Sequence, residues 1–318
     1  MPGSGVCSFP MLRMSLICVA ALPLLAGCRS SDDAGTAEVV ATTTQAADIT
    51  RNVAGDHVEV HGILTPNADP HDYEPRPSDA AAIAQADLVV TSGGEVDEWV
   101  DELIESSGTE AEVISLLDSA TVVRSDGGEV DPHWWQDPRN AAAAVETIGD
   151  SLSTVNASRA SAFRESAASY ARAVQRSDRA VAECMEALPE SSRRLVTSHD
   201  SLGYFADRYD IEVVGSAVPA LSTQAQPSSG ETAELVDLIE TEGVRAVFAE
   251  AGLSGDLEEA IAGEAGVTVG EDLYADSLGE EGTQGANYLG ALEANAAAMF
   301  EAFSSGAHSP CPLSEGSP

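Results

Sequence analysis

Short apolar runs alternate with amphipathic stretches along the chain, in two blocks separated by a long Ala-rich segment. Apolar runs bounded by Gly, Pro or polar residues are typical of buried strands, and apolar positions that recur every three to four residues are typical of helices. We predict strands at residues 38–43, 58–64, 87–92, 112–116, 194–197, 212–218, 246–250 and 267–273. Strands that alternate with helices at this spacing indicate parallel βαβ units, so we predict an α/β fold with two similar lobes.

The Ala-rich segment, residues 140–187, is predicted to be helical because no Gly or Pro occurs between Gly149 and Pro189. A helix over residues 158–188 would be about 45 Å long at about 1.5 Å per residue. Such a helix is either a core helix of one domain or a rigid spine that joins two lobes. The predicted organisation is an N-terminal lobe, a helical region, a C-terminal lobe and a tail, at residues 38–139, 140–189, 190–305 and 306–318.

The N-terminal residues are predicted to be a processed leader. Arg13 precedes an apolar stretch at residues 16–25, which is shorter than the roughly 20 residues that span a bilayer but typical of a signal peptide. The motif Leu-Ala-Gly-Cys that ends at Cys28 resembles a bacterial lipobox. It predicts that residues 1–27 are removed, that Cys28 carries a lipid, and that residues 28–37 form a flexible tether. The alternative is an ordinary secretory cleavage beside a chance Cys.

Two Cys remain beyond this leader, Cys184 and Cys311. An even pair in an exported chain is a candidate disulfide. Because the sequence alone does not show whether the two residues are close in space, their pairing stays open. Neither has the spacing to another Cys that a thiolate metal site requires.

Charge narrows the range of partners. The formal net charge is −38, from 53 acidic and 15 basic residues, and every basic residue is Arg. A chain without a basic stripe is not expected to bind nucleic acid or to adhere electrostatically to anionic lipid. The acidity itself is consistent with a solvated surface suited to high salt, and it assigns no function.

Three histidines lie in loops beside small or acidic residues. His71 and His133 each end an Asp-Pro-His triplet, and His199 lies just after the strand predicted at 194–197. Asp276, in the stretch Tyr-Ala-Asp-Ser-Leu-Gly, is a fourth candidate ligand. A lone His is more often structural, but neutral imidazole is the commonest ligand for borderline metals. Because the four residues are far apart in sequence, a metal site would need loops that converge at the carboxyl ends of different strands, in a cleft between the lobes.

At these residues the sequence resembles the zinc/manganese solute-binding proteins of ABC transporters, the cluster A-I metal receptors of the zinc-uptake type. The matching motifs are Asn-Ala-Asp-Pro-His-x-Tyr-Glu-Pro from Asn67, Asp-Pro-His-x-Trp-x-Asp-Pro-x-Asn from Asp131, Ser-His from Ser198 with Tyr-Phe-Ala from Tyr204, Leu-Ser-Thr-Gln-Ala-x-Pro-Ser from Leu221, and Tyr-x-Asp-Ser-Leu-Gly from Tyr274. The resemblance covers residues 38–303. It implies two α/β lobes bridged by one long rigid helix, and a metal ion held in the interlobe cleft by His71, His133, His199 and Asp276.

Three imidazoles and one carboxylate suit four- or five-coordinate Zn²⁺. Manganese receptors of the resembled family often carry a carboxylate where this chain has His199, so the resemblance favours Zn²⁺, with Mn²⁺ as the alternative. Residues 124–130 contain no His, so the metal-gathering role of the His-rich loop that many zinc members carry there is not transferred. Neighbouring carboxylates are predicted to orient the imidazoles, unless they are simply solvated or cap a turn. These are Asp72, Glu74 and Asp200.

The resemblance implies a monomeric, lipid-anchored receptor on the extracytoplasmic face of a bacterial membrane. It would capture Zn²⁺ and deliver it to an ABC permease and its ATPase subunit, and it would not be an enzyme. A metallohydrolase with water as a ligand is a second hypothesis, but it needs a positioned base. No His-Glu-x-x-His motif occurs, and nothing in the sequence identifies Glu250 as that base. A surface adhesin is a third hypothesis, which a lipid anchor would permit.

Overall fold

A computed structural model describes residues 1–6, 37–125, 128–304, 311 and 313. The chain divides into two units, Met1–Ala34 and Gly35–Pro318, and the fold below belongs to the second. The predicted signal peptide after residue 6, Cys28, the tether up to residue 36 and most of the predicted tail lie outside the described residues. None of the described helices combines the length and the apolar character needed to cross a membrane.

The N-terminal lobe contains a parallel four-stranded sheet with the order β2-β1-β3-β4. Its strands are β1 (Ala37–Ala41), β2 (Val58–Gly62), β3 (Leu88–Thr91) and β4 (Glu112–Ser115). Its helices are α1 (Thr44–Ala54), α2 (Pro77–Ile83) and α3 (Val100–Ser107). All four residues of β3 are buried, because helices cover both faces of the sheet. Val89 packs against Ile83 on one face, whereas Val90 belongs to the larger core on the other.

Two helices follow the first sheet, α4 (Pro138–Val155) and α5 (Ala160–Glu186). They lie close together, since a Cβ atom on Gly149 would be 2.9 Å from the Cβ of Ala167. The N-terminal part of α5 contributes Phe163 to the core of the N-terminal lobe, and its C-terminal part contributes Met185 to a core of the C-terminal lobe. One helix of 27 residues therefore packs into both lobes, as the spine interpretation predicts.

The C-terminal lobe contains a second parallel four-stranded sheet, with the order β6-β5-β7-β8. Its strands are β5 (Arg194–His199), β6 (Glu212–Val218), β7 (Ala246–Val247) and β8 (Thr268–Val269). Its helices are α6 (Gly203–Tyr209), α7 (Ser229–Glu242), α8 (Asp256–Ala265) and α9 (Tyr288–Ser304). The two sheets have the same parallel architecture, so the predicted α/β fold with two similar lobes is confirmed.

The strands β7 and β8 are shorter than the predicted ranges 246–250 and 267–273. Regular pairing stops after two residues, and a single bridge between Glu250 and Leu273 resumes it. The interruption coincides with Phe248, whose ring fills the space beside Gly270, where a Cβ atom would be 2.4 Å from the ring. The resumed bridge places Glu250 at the carboxyl end of the sheet.

The structure joins Cys184 and Cys311, which the sequence left as an open pair. Their sulfur atoms are 2.04 Å apart, as in a disulfide bond, and both residues are buried in the C-terminal lobe. The bond ties the end of the chain to the last turn of α5, across a sequence separation of 127 residues.

Candidate metal centre

The four predicted ligands follow strands of both sheets. His71 lies in the loop between β2 and α2, and His133 lies in the loop between β4 and α4. His199 is the last residue of β5, and Asp276 follows the bridge that Leu273 makes with Glu250. Because the strands of each sheet are parallel, these loops leave the sheets at their carboxyl ends. The N-terminal lobe thus supplies two of the four residues and the C-terminal lobe supplies the other two.

All three imidazoles point their Nε2 atoms at the Asp276 carboxylate. Nε2 of His71 is 3.2 Å from Oδ2 of Asp276, and Nε2 of His199 is 3.1 Å from the same oxygen. Nε2 of His133 is 3.3 Å from Oδ1. One ligand atom from each of the four residues lies within 4.8 Å of the others. The predicted ligands therefore form one compact cluster.

The atoms that face one another in this cluster are buried and unsatisfied. Among the described residues, no hydrogen-bond partner occurs for Nε2 of His71, His133 or His199, or for either carboxylate oxygen of Asp276. Buried polar atoms in proteins are nearly always hydrogen-bonded, so a convergent set of unsatisfied atoms requires an explanation. Three neutral nitrogens and a carboxylate are the donor set of a borderline divalent cation, and the residues present fit such an ion.

Two carboxylates lie beside the other ring nitrogens. Oδ1 of Asp131 is 2.7 Å from Nδ1 of His133 and also accepts the backbone N–H of that residue at 2.9 Å. Oε2 of Glu250 is 3.0 Å from Nδ1 of His199, and its Oε1 accepts the backbone N–H of Asp276 at 3.0 Å. A carboxylate at Nδ1 favours the tautomer in which Nε2 is free to bind a metal.

The carboxylates at these ring nitrogens are different from the three predicted from the sequence. Asp72 and Glu74 are exposed at the surface, whereas the His71 side chain beside them is only 2% exposed. Asp200 is half-buried next to His199, and its backbone N–H donates to the carbonyl of Ala220.

The sequence contained a signal for one of the two carboxylates that it missed. Asp131 is the first residue of the Asp-Pro-His triplet, and Asp side chains commonly accept a backbone hydrogen bond two residues on. Glu250 has no such local signal, since it reaches His199 only through the pairing of β5 with β7 and the bridge to Leu273.

The electrostatic field of the cluster favours positive charge. Burial opposes a charge on His199, but the adjacent Asp276 and Glu250 carboxylates outweigh it and hold the pKa of His199 well above its usual value. Burial likewise opposes ionisation of Asp276, but His199 and His133 keep the pKa of that carboxyl well below its usual value. Burial and the charge of Asp276 raise the pKa of Glu250. The carboxylates of Asp276 and Glu250 therefore favour a positive charge beside His199.

The family to which the chain belongs distinguishes a transport component from an enzyme. Residues 39–302 match the family described as zinc-uptake complex component A, periplasmic. The chain belongs to this family. The family is described as a periplasmic component of a zinc-uptake complex, and the homologues are substrate-binding proteins of metal ABC transporters. The chain is thus a transport receptor rather than a metallohydrolase.

Relatives of this chain are named for different metals. The manganese-binding lipoprotein MntA of Bacillus subtilis (strain 168) is 32% identical over 285 residues, which cover 85% of this chain and 92% of MntA. The iron-binding protein YfeA of Yersinia pestis is 30% identical over 272 residues, which cover 84% and 86% of the two chains. The solved periplasmic zinc-binding protein TroA from Treponema pallidum matches with a TM-score of 0.79 at 25% identity, over 85% of this chain and 99% of TroA.

Proposed function

We propose that this chain captures Zn²⁺ outside the cytoplasm and delivers it to an ABC permease that is driven by an ATPase subunit. The observation that carries the proposal is the convergence of three buried Nε2 atoms and the Asp276 carboxylate, all unsatisfied within the described residues. His71, His133, His199 and Asp276 are the proposed ligands.

The donor set supports Zn²⁺ over Mn²⁺. Imidazole nitrogens suit zinc, whereas manganese prefers carboxylate, carbonyl and water oxygens. Three of the four proposed ligands are imidazoles, and zinc also binds a given site more tightly than manganese in the general order of divalent affinities. A manganese receptor of the same family is the alternative, and the names of the relatives include both metals.

Metal analysis and competitive titration test this proposal. The purified chain should hold one Zn²⁺, and added Zn²⁺ should displace Mn²⁺ from the site. Substitution of both His71 and His133 by alanine should abolish zinc binding. A His61→Ala variant is the matched control, because His61 is an exposed residue of β2 that lies outside the ligand cluster. Unchanged zinc affinity in the double variant would contradict the proposed ligands, and preference for Mn²⁺ would establish the alternative.

The proposed attachment to the membrane is through a lipid on Cys28, with the folded chain acting as a monomer. The lipobox motif supports it, and relatives named as lipoproteins are consistent with it. Mass spectrometry of the chain purified from membranes should find diacylglycerol on Cys28, and Cys28→Ser should release the chain from the membrane fraction. An unmodified Cys28 on membrane-bound chain would contradict the anchor. The adhesin hypothesis stays a prediction.

A further inference from the structure

The loop that carries His71 is held from both lobes. From the N-terminal lobe, the Trp99 indole N–H donates to the carbonyl of Pro70 at 3.2 Å. From the C-terminal lobe, the side-chain amide of Gln224 donates to the carbonyl of His71 itself. Two successive carbonyls of one loop therefore accept hydrogen bonds from opposite lobes.

Asp69 makes the second connection between this loop and the C-terminal lobe. Its Oδ1 accepts the backbone N–H of His71 at 2.9 Å, and its Oδ2 accepts the hydroxyl of Thr223 at 2.7 Å. One carboxylate thus orients the His71 backbone and joins it to a residue 154 positions further along the chain. Hydrogen bonds to ionised groups are about twice as strong as neutral ones, so this contact is a substantial restraint.

The start of the loop is packed against the ligand segments of the C-terminal lobe by backbone alone. The N–H of Asn67 donates to the carbonyl of Leu278 at 3.0 Å, two residues after Asp276. Gly252 has a φ of +92°, and a Cβ atom there would be 2.8 Å from the Asn67 carbonyl oxygen. Outside the ligand cluster, where Asp276 lies 3.2 Å from Nε2 of His71, the C-terminal lobe reaches this loop through the described side chains of Thr223 and Gln224.

The rings of the other two histidines have a different support. Asp131 lies beside Nδ1 of His133, and Glu250 lies beside Nδ1 of His199, and both carboxylates are buried. His71 is held instead by hydrogen bonds to its backbone, and Gln224 is exposed while Thr223 and Asp69 are only half-buried. The position of His71 therefore depends on contacts that water can reach.

We propose that Thr223 and Gln224 are positioning residues for His71, and that their bonds to Asp69 and His71 set how long the site retains its metal. We call these four residues the interlobe latch. When the latch breaks, the bond from Trp99 keeps the loop with the N-terminal lobe, so His71 is the first ligand to leave. The inference rests on the proposed function, because it concerns the metal that the same site would hold.

Metal release tests the latch separately from metal capture. Zinc-loaded wild type, Thr223→Val and Gln224→Ala are mixed with excess chelator, and dissociation is followed by stopped flow, with association measured in parallel. We expect Thr223→Val to release zinc about tenfold faster, since the free energy lost with a hydrogen bond to a charged group corresponds to at least about a tenfold change in an equilibrium constant. Association and stoichiometry should stay near the wild-type values.

Two further variants separate positioning from general damage. Thr223→Ser keeps the hydroxyl and should release zinc at nearly the wild-type rate. Thr232→Val is the matched control, because the Thr232 hydroxyl donates locally to the Ser228 carbonyl within the C-terminal lobe. Gln224→Ala alters an exposed residue and keeps the test valid if Thr223→Val folds poorly.

The outcomes distinguish the two proposals. Wild-type release rates in both Thr223→Val and Gln224→Ala would overturn the latch while leaving the receptor function intact. If Thr223→Ser also released zinc about tenfold faster than the wild type, the latch would be overturned as well, because the hydroxyl would then be irrelevant. Failure of the wild-type chain to take up Zn²⁺ or Mn²⁺ would overturn the proposed function and the latch together.

Discussion

The two Asp-Pro-His triplets place an imidazole at the same cluster, but their loops are built differently. In the His133 loop, Asp131 is 3% exposed and touches the ring nitrogen of its own histidine at 2.7 Å. In the His71 loop, Asp69 is half-buried and reaches across to Thr223. The Asp of the triplet therefore contacts the imidazole of its own histidine in one loop, and joins the two lobes in the other.

The surroundings of the two loops explain this difference. The Trp135 indole N–H donates to the carbonyl of Ala275 at 2.8 Å, and the Tyr288 hydroxyl donates to the carbonyl of Trp135 at 2.7 Å. His133 is fully buried between these contacts, whereas the loop of His71 lies near the surface. A site that must both hold and release a metal thus combines one rigid loop with one that can detach.

The largest effect is expected from the residue that both loops share. Asp276 contacts all three imidazoles and is the only carboxylate among the proposed ligands. Asp276→Asn should weaken zinc binding by more than about 100-fold, beyond the usual 10- to 100-fold cost of losing an outer partner of a metal ligand. Competitive titration with a fluorescent chelator measures this change. An affinity within tenfold of the wild type would show that the loops bind metal without Asp276.

The difference between the two loops is tested by replacing the Asp of each triplet with Asn. Asp131→Asn should weaken equilibrium zinc binding about 10- to 100-fold, because the ring of His133 loses the group that sets its tautomer. Asp69→Asn should act mainly on the dissociation rate, because it weakens the bond to Thr223 and leaves the ring contacts intact. Titration and stopped flow on both variants separate the two effects. The same division of the affinity change between association and dissociation rates in both variants would remove the proposed difference between the loops.

The pH dependence of zinc binding should be the same for both loops. The pKa of His199 lies well above its usual value in the metal-free chain, so below that pKa a proton occupies the nitrogen that a metal needs. Displacement of one proton makes the apparent zinc affinity fall about tenfold for each pH unit on acidification, and level off above that pKa. Asp69→Asn and Asp131→Asn should keep the wild-type slope. A steeper dependence of zinc affinity on pH in one variant would show that zinc displaces a second proton from the loop of that variant.

Much of this could be predicted from local sequence. The strand at 212–218 matches β6, and the loops at the ends of parallel strands fit the convergence of the four candidate ligands, which the family resemblance had combined into one site. Burial on both faces produces short apolar runs, and these are visible in a single sequence. The long helix was visible too, as a stretch free of Gly and Pro, whereas its role as a spine came from the family resemblance.

The features that escaped prediction depend on contacts distant in sequence. Glu250 reaches His199 through a bridge between strand ends, and the end of β7 coincides with the ring of Phe248 beside Gly270. The bond between Asp69 and Thr223 joins two loops that no local pattern connects. Local propensity does not specify which carboxylate meets which imidazole, because that depends on the packing of the two lobes.

The most direct measurement is a crystal structure of the zinc-loaded chain with anomalous data at the zinc edge. We expect one strong anomalous peak at about 2.0–2.2 Å from Nε2 of each of the three histidines and from the Asp276 carboxylate. Glu250 and Asp131 should remain at the Nδ1 atoms of their histidines. A peak bound elsewhere, or one that lacks any of His71, His133, His199 and Asp276, would contradict the account.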